Sequence, residues 1–426
     1  MNLEVFRNYS LQHLKKDILS GIVVGIIAIP LGLGFAIASG ISPVTGLYTT
    51  IVAGLLIAIL GGCRFQIAGP TGAFVPVLLG IVLQYGYENL LIAGFMSGIL
   101  LIIFALCKVG ALIKYFPSSI IVGFQSGIAL IIFSGQIPNF LGLHAIEKYQ
   151  YFHLNIKEIF GNLHFINIYS IATAELCLAT ILIVLYFSPK SLGMSYLLGI
   201  IVSTGLASFF FSNQFETIGS IYGEIPRHFP APAFPDITVE RVVTLLPSAF
   251  VIAILVGLQS LLTARVADEM TKSKHSSKKE LIGQGIVNMV TPMFSGIPAA
   301  GEIARTVTNI KNGASSPIAG ITHAIFVLIV LLVLAPYASY VALASLAPVL
   351  MVVAWNISKK EQFAKVIKER SFHSLVLLTT FLLTVFTNLT VGIAVGLCLS
   401  GVHFMVKKSQ EKQKLLRKTG ECKHIK

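Results

Sequence analysis

The sequence predicts an all-α polytopic membrane protein, because it is too apolar for a soluble domain and its charges are widely spaced. Hydrophobic residues make up 55% of the 426 residues and charged residues only 12%, about half the charged share of a typical soluble domain. No Asp, Glu, Lys or Arg occurs in 18–63, 312–358 or 371–406. A membrane-spanning helix needs about 20 apolar residues, so each of these stretches is long enough for two spans.

The apolar segments predict about fourteen spans, and their boundaries follow the gaps between charges. Two of the segments, which open near Thr71 and Ile303, are too short or too interrupted by Gly and Pro to cross a bilayer alone. The predicted spans are 18–38, 44–62, 71–86, 90–107, 118–138, 168–188, 193–212, 246–266, 281–296, 303–314, 317–335, 340–356, 372–388 and 390–406.

The distribution of basic residues predicts the orientation. With a cytoplasmic N-terminus and fourteen crossings, most Lys and Arg residues fall on the cytoplasmic side, as the positive-inside rule requires. We therefore expect a multi-pass inner-membrane protein with both termini in the cytoplasm. The net charge of +13 is then explained by basic loops that contact anionic lipid headgroups, and no nucleic-acid partner is expected.

The chain shows no pattern typical of an enzyme or of a metal or cofactor site. Its five cysteines have neither paired nor metal-ligand spacing, so we expect no disulfide, no metal and no cofactor. No stretch resembles a catalytic triad or a nucleotide-binding loop. His323 and Trp355 are interpreted as packing or interface residues.

A Pro-rich interruption near the middle divides the chain into two halves. We assign 1–17 to a cytoplasmic N-terminus, 18–212 to a first repeat, 213–245 to an extracytoplasmic loop, 246–406 to a second repeat and 407–426 to a basic cytoplasmic tail. With seven spans each, the halves are inserted in opposite directions. This is the inverted-repeat arrangement of many secondary transporters.

The third segment of each half carries a similar short motif. Ala-Gly-Pro-Thr-Gly-Ala at 68–73 resembles Ala-Gly-Glu-Ile-Ala-Arg at 300–305, and each motif precedes a helix. A helix that begins inside the membrane has free N–H groups and the positive end of its dipole at its start. Pro70 suits the first turn of such a helix. Two such starts meeting at the midplane predict a site for a small anion.

Charged residues beside these starts allow two interpretations each. Arg305 is the one Lys or Arg that the predicted spans place well inside the membrane, where a charge is costly. It either binds the anion or pairs structurally with Glu302, three residues earlier on the same helix face. Glu302 either stabilises the helix N-terminus or takes up a proton and so couples proton to anion movement.

The eighth span carries polar side chains at membrane depth. Gln259 and Thr263 lie four residues apart on one helix face, with Ser260 beside them. These residues either line the transport cavity or form hydrogen bonds between helices.

Several stretches resemble the sulfate permease (SulP) family, whose fold is that of prestin. The matching stretches are IPLGLGFA at 29–36, GLY at 46–48, IAGPTG at 67–72, GFQSG at 123–127, HSSKKELIGQG at 275–285 and IARTVTNI at 303–310. They occur in the expected order along nearly the whole chain.

The resemblance implies a seven-plus-seven fold with a core domain of spans 1–4 and 8–11 and a gate domain of spans 5–7 and 12–14. It also implies a homodimer and elevator-type movement of the core against the gate. The substrates would be sulfate, bicarbonate, chloride, oxalate or dicarboxylates, held between the third and tenth helices. By motif, the substrate-binding residues would be Phe35, Thr71, Gly72, Ala73, Ile303, Ala304 and Arg305.

Three features depart from the family pattern. Gln259 stands where many bacterial members have an acidic residue, and Glu302 stands where a small residue is usual. The family generally carries a cytoplasmic STAS domain after the last span, whereas this sequence ends at Lys426. We therefore expect a membrane domain without STAS and an altered coupling site.

The sequence as a whole predicts a secondary active transporter of small anions, either uncoupled or coupled to protons or cations. Two alternatives remain. The chain could form an anion channel or a voltage-responsive membrane protein, or it could be a nucleobase permease of similar fold. Gln259 and Arg305 disfavour the last, because such permeases generally use acidic residues on the eighth and tenth helices.

Overall fold

The computed structural model describes residues 9–108, 117–143, 146–188, 192–211, 214–387 and 391–402. The predicted tail at 407–426 lies outside these residues. The helices are α1 (Leu11–Ala38), α2 (Pro43–Leu60), α3 (Val75–Tyr85), α4 (Tyr87–Leu106), α5 (Ser118–Gly135), α6 (Ile137–Leu141), α7 (Phe152–Gly161), α8 (Ile168–Phe187), α9 (Leu192–Phe210), α10 (Ile218–Tyr222), α11 (Val239–Thr271), α12 (Ser277–Val290), α13 (Ile303–Lys311), α14 (Ile318–Ser339), α15 (Leu343–Ile357), α16 (Lys360–Lys368) and α17 (Phe372–Phe386). A further apolar helix comprises Val391–Val402.

The prediction of a polytopic helical membrane protein is confirmed at this level, since a helix lies at each predicted span. Eight helices of the described chain are long and apolar enough to cross a membrane. Gly72–Tyr85 is one of the shorter apolar helices, as expected for a half-helix. The number of crossings stays a prediction.

Several predicted spans have different bounds in the structure, and the eighth and ninth show the physical reasons. The eighth begins at Val239 rather than 246 and runs to Thr271, because Thr238 caps it with a side-chain bond to the Arg241 N–H. The ninth ends at Val290 and continues as a 3-10 turn, Thr291–Phe294, that contains Pro292. A proline there cannot donate the backbone bond that would continue the α-helix.

Two short strands join the halves of the sequence. β1 (Ala68–Gly69) pairs with β2 (Ala300–Gly301) in antiparallel register, Ala68 opposite Gly301 and Gly69 opposite Ala300. These are the first two residues of the two motifs that the sequence aligned. In an antiparallel pair the chains leave at opposite ends, so the helices that follow β1 and β2 run in opposite directions.

The start of α1 is held by a buried carboxylate. Asp17 is fully buried and accepts the N–H groups of Ser315 and Ser316 at 2.6 and 3.3 Å. The Tyr9 hydroxyl donates to the same carboxylate at 2.7 Å. Burial and this bond raise the pKa of Tyr9 to about 12. The contacts fasten α1 to the chain just before α14.

The chain forms two compact units. The larger contains the described residues of Met1–Lys114 and Ile131–Trp355. Within it, α1 packs on α2 and α14, α4 packs on α11 and α12, and α2 packs on α14. These helices form the body that carries β1 and β2.

The smaller unit contains the described residues of Tyr115–Leu130 and Asn356–Lys426. In this unit Gly123 and Gly127 of α5 face Leu377 and Thr384 of α17. Small residues at such crossings let membrane helices approach closely. The units do not coincide with the predicted repeats 18–212 and 246–406 or with the expected core and gate, which stay predictions.

Candidate functional site

The helix that follows β1 is capped by Thr71 and begins at Gly72. The backbone of Thr71 is extended and its side chain accepts the Ala73 N–H at 3.3 Å, after which a 3-10 turn, Gly72–Phe74, leads into α3. Pro70 therefore precedes the cap, and its predicted place in the first helical turn is wrong. The physical reason is that the backbone is still extended at Thr71, so the helical conformation begins at Gly72. Thr71 and Ala73 are buried.

The helix that follows β2 begins at Ile303 and is capped by Glu302. The Glu302 carboxylate accepts the Arg305 N–H at 2.7 Å, and the Glu302 N–H donates to the Ile67 carbonyl at 2.9 Å. The capping interpretation of Glu302 is thus seen directly. Ile303 is half-buried and Ala304 is exposed, so this start faces open space.

Arg305 lies between the two helix starts. Its side chain is fully buried, and Nη2 donates to the Pro70 carbonyl at 3.2 Å. Its Nε lies 3.9 Å from the Glu302 carboxylate, too far for a hydrogen bond. Nε and Nη1 have no hydrogen-bond partner within the part of the chain that the structure describes. A buried guanidinium with unbonded donors is suited to bind an oxyanion.

Gly69 allows Arg305 to take this position. A Cβ at residue 69 would overlap Nη1 of Arg305, so the guanidinium packs directly on the backbone of β1. A Cβ at Gly301 would overlap the side chain of Gln66 in the same way. The two glycines of the paired motifs therefore make room for polar side chains at the crossing.

α11 holds β2 in place through its polar face. The Ser260 hydroxyl accepts the Gly301 N–H at 3.0 Å, and the Thr263 hydroxyl donates to the Gly301 carbonyl at 3.0 Å. Of the two interpretations of Thr263, the structure shows the hydrogen-bonding one, although the partner is strand β2 and not another helix. The Oε1 of Gln259 is buried without a partner among the described residues.

The Glu280 carboxylate, which sequence reasoning did not single out as a site residue, supports the loop before β1. It is fully buried and accepts the N–H groups of Gly62 and Cys63 at 2.9 and 3.1 Å. It also accepts the side-chain amides of Gln66 at 2.8 Å and Gln284 at 3.2 Å. Four donors on one carboxylate satisfy its lone pairs without a cation.

Asparagine and threonine side chains fix the backbone on both sides of the strands. Asn288 bonds both the N–H and the carbonyl of Ala299, and Asn309 donates to the Phe65 carbonyl at 2.9 Å. The Thr306 hydroxyl accepts the Ile67 N–H at 3.1 Å. The signal that could have found them is their polarity inside apolar segments, which is costly unless satisfied.

The other predicted residues are placed as follows. Phe35 is buried on α1, and α1 packs on α3 and α13. Gly72 is buried at the start of the 3-10 turn. His323 is fully buried and packs on Gly54, while Trp355 is 58% exposed. No group of three or more His, Cys, Asp or Glu side chains that could hold a metal occurs in the described part.

Comparisons with known proteins agree on one family. Residues 14–380 match the Sulfate permease family. YvdB of Bacillus subtilis (strain 168), provisionally named a sulfate transporter, is 53% identical over 405 residues, which cover 95% of this chain and 76% of YvdB.

Two solved structures share the fold. The transmembrane domain of a cyanobacterium bicarbonate transporter, BicA, superposes with a TM-score of 0.80 at 26% identity, covering 91% of this chain and 98% of that one. The murine anion transporter Slc26a9 in its inward-facing state superposes with a TM-score of 0.86 at 21% identity, covering 95% of this chain and 70% of that one.

Proposed function

The chain belongs to the sulfate permease family, and on that premise we propose that it is a secondary active transporter of small inorganic or organic anions. The substrate class is sulfate, bicarbonate or dicarboxylate. The family predicted from the motifs is confirmed, and so is the prediction that the chain is a transporter and not an enzyme.

The observation that carries the proposal is that Arg305 is buried while two of its side-chain nitrogens have no hydrogen-bond partner in the described chain. Burying a guanidinium costs several kcal/mol unless its donors are used, and two of its nitrogens have no protein acceptor in the described chain. An oxyanion bound against Nε and Nη1 accepts hydrogen bonds from these donors, and its negative charge offsets that of the guanidinium. The starts of α3 and α13 add the positive ends of two helix dipoles.

The substrate-binding residues in this proposal are Phe35, Thr71, Gly72, Ala73, Ile303, Ala304 and Arg305. Gln259 lines the cavity from α11, and its unbonded oxygen supports this placement. Sulfate in the name of YvdB and bicarbonate in that of BicA support a small oxyanion. Backbone N–H groups and a guanidinium do not distinguish between these oxyanions.

The transport mechanism in this proposal is elevator-type alternating access. The core corresponds to α1–α4 and α11–α14, and the packing of α1 on α14 and of α4 on α11 and α12 supports its movement as one body. The protein has fourteen spans as a seven-plus-seven inverted repeat in the inner membrane, both termini in the cytoplasm, and is a homodimer.

Uptake in proteoliposomes tests the function and the site together. Sulfate, bicarbonate, chloride and a dicarboxylate are offered as radiolabelled anions, and uphill accumulation driven by an ion gradient excludes a channel. Arg305→Ala is expected to lower kcat/KM for the transported anion about 100-fold, since a charged hydrogen-bond donor contributes roughly 1.5–3 kcal/mol. Arg305→Lys keeps the charge but loses the planar fork, so an intermediate loss is expected.

The matched control is Arg265→Ala. Arg265 is a basic residue of the neighbouring α11, but its side chain is 67% exposed and bonds the equally exposed Glu269. Its loss is expected to leave transport unchanged. Unaltered transport in Arg305→Ala would remove Arg305 from the site, and an anion flux that only runs downhill would favour the channel alternative.

A further inference from the structure

The donors at the start of α13 are partly occupied by the chain itself. The Glu302 carboxylate accepts the Arg305 N–H at 2.7 Å, where a substrate anion would meet the helix N-terminus. It also lies 3.9 Å from Nε of Arg305, close enough for charge attraction. The side-chain carboxylate of Glu302 thus lies beside the proposed substrate site, where it uses a donor that a bound anion could also use.

A second set of donors at the same place is left open. Nε and Nη1 of Arg305 are buried without a protein acceptor in the described residues, although the guanidinium is held by the Pro70 carbonyl. Buried donors are normally bonded. The site therefore offers donors for a free anion directly beside an anion that is already attached.

The charges decide which of the two anions is favoured. Arg305 contributes one positive charge and each helix start about half a charge more. An ionised Glu302 offsets part of this charge while the site is empty. A substrate anion that enters beside the ionised carboxylate is repelled by it, and protonation of Glu302 removes that repulsion.

We propose that Glu302 is the counter-ion of the empty carrier and is protonated when the substrate anion binds. The inference rests on the proposed function. One proton from solution attaches to the carboxylate oxygen as one anion binds Arg305, and both leave together. Because Glu302 balances Arg305 when no substrate is bound, the empty site can cross the membrane. The result is net proton–anion symport instead of obligatory anion exchange.

Few other charged groups are placed to produce this pH dependence. α11 presents the uncharged Gln259 and Thr263 at this level, and its Asp268 bonds His275. On α1, Asp17 is engaged with Ser315 and Ser316. Gln66, next to β1, is uncharged. Arg305 is permanently charged. Two buried titratable groups lie nearby: Glu280 of α12, which accepts the side-chain amide of Gln66, and His323 of α14, which is close enough to feel the charge of Arg305.

The test compares net uptake with exchange in proteoliposomes of the full chain. Radiolabelled sulfate is the probe, or a dicarboxylate if the unaltered protein does not carry sulfate. Net uptake is driven by an inward proton gradient into anion-free vesicles, and exchange is measured with vesicles preloaded with the same anion. For the unaltered protein we expect net uptake that rises as the external pH falls.

Glu302→Gln keeps the size and the capping oxygen but cannot ionise. It is expected to lower the ratio of net uptake to exchange at least about tenfold, an effect of about 1.4 kcal/mol on the empty return step, and to flatten the pH profile. Glu302→Asp keeps the charge and is expected to retain net uptake. Glu175→Gln, on the exposed side of α8, is the control and is expected to match the unaltered protein.

Three results would overturn the inference. An unchanged ratio and pH profile in Glu302→Gln would show that Glu302 carries no proton. Equal loss of net uptake and exchange in a folded Glu302→Gln would show that the carboxylate serves both modes alike and not the return of the empty site. Exchange without net uptake in the unaltered protein would also contradict it. The absence of both activities for every anion would instead refute the proposed function.

Discussion

At the scale of single residues, the position of Arg305 depends on the absence of a side chain at Gly69. The guanidinium lies against the backbone of β1 and donates to the carbonyl of the next residue, Pro70. Any Cβ at residue 69 would overlap Nη1. Because the arginine side chain is flexible, it can move away from that Cβ. The substitution therefore displaces the guanidinium from the site more than it lowers the stability of the fold.

Gly69→Ala is therefore expected to give a folded protein with weakened anion binding. Displacing the guanidinium costs about one charged hydrogen bond, roughly 1.5–3 kcal/mol, which predicts a rise in KM of about 10- to 100-fold. Concentration-dependent uptake measures KM, and thermal unfolding in detergent checks the fold. Gly80→Ala in α3 is the control, since its Cβ would meet Gln150 at an ordinary 3.5 Å. Equal KM values in all three proteins would contradict the prediction.

At the scale of elements, the helices that follow β1 and β2 are positioned by side chains from other helices as well as by their own. β1 and β2 have two residues each, too few to be stable without support. Ser260 and Thr263 hold β2 from α11, and Glu280 of α12 holds the turn before β1. These contacts fix the backbone from which both helices start.

Glu280→Ala is expected to destabilise the protein in detergent. The change leaves the N–H groups of Gly62 and Cys63 and two side-chain amides without an acceptor, at about 1–3 kcal/mol for each group that stays buried and unsatisfied. We expect a clear fall in the unfolding temperature, measured by scanning fluorimetry. Glu269→Gln, a 67% exposed carboxylate of α11, should unfold like the unaltered protein. Equal unfolding temperatures for Glu280→Ala would show that the carboxylate is not needed.

At the scale of the whole molecule, the orientation in the membrane remains a prediction from charge. α11 is a single helix from Val239 to Thr271, so its two ends lie on opposite sides if it crosses the bilayer. The basic loop at 272–279 follows its C-terminal end. The positive-inside rule therefore places this loop, and the N-terminus, in the cytoplasm.

Cysteine labelling tests that orientation. In a chain whose five native cysteines are replaced, Ser220→Cys before α11 is expected to react with a membrane-impermeant maleimide in right-side-out vesicles. Lys274→Cys after α11 and Ser10→Cys before α1 are expected to react only after permeabilisation. Labelling of Ser10→Cys and Lys274→Cys from opposite sides would contradict an even number of crossings between them. Reaction of Lys274→Cys in sealed vesicles would contradict the predicted direction.

The sequence by itself determined the membrane class, the place of every predicted span, the family, and the pairing of the motifs at 68–73 and 300–305. Each is carried by a local property, such as apolar run length, charge spacing or a short motif, that needs no partner to be recognised. The same local reasoning placed Arg305 at membrane depth. It also placed Pro70 inside the first helical turn, although this residue precedes the Thr71 cap, since the position of a cap depends on backbone conformation.

Only the tertiary structure decided which side chains meet. Gly69 and Arg305, Glu280 and Gly62, and Thr263 and Gly301 are brought together by folding, and residue type alone does not select a distant partner. The structure also shows one of the two interpretations of Glu302, the cap on the Arg305 N–H, while its protonation stays a proposal. The reason is physical: inside a membrane each polar group must find a partner in the protein, and the fold determines which partners are within reach.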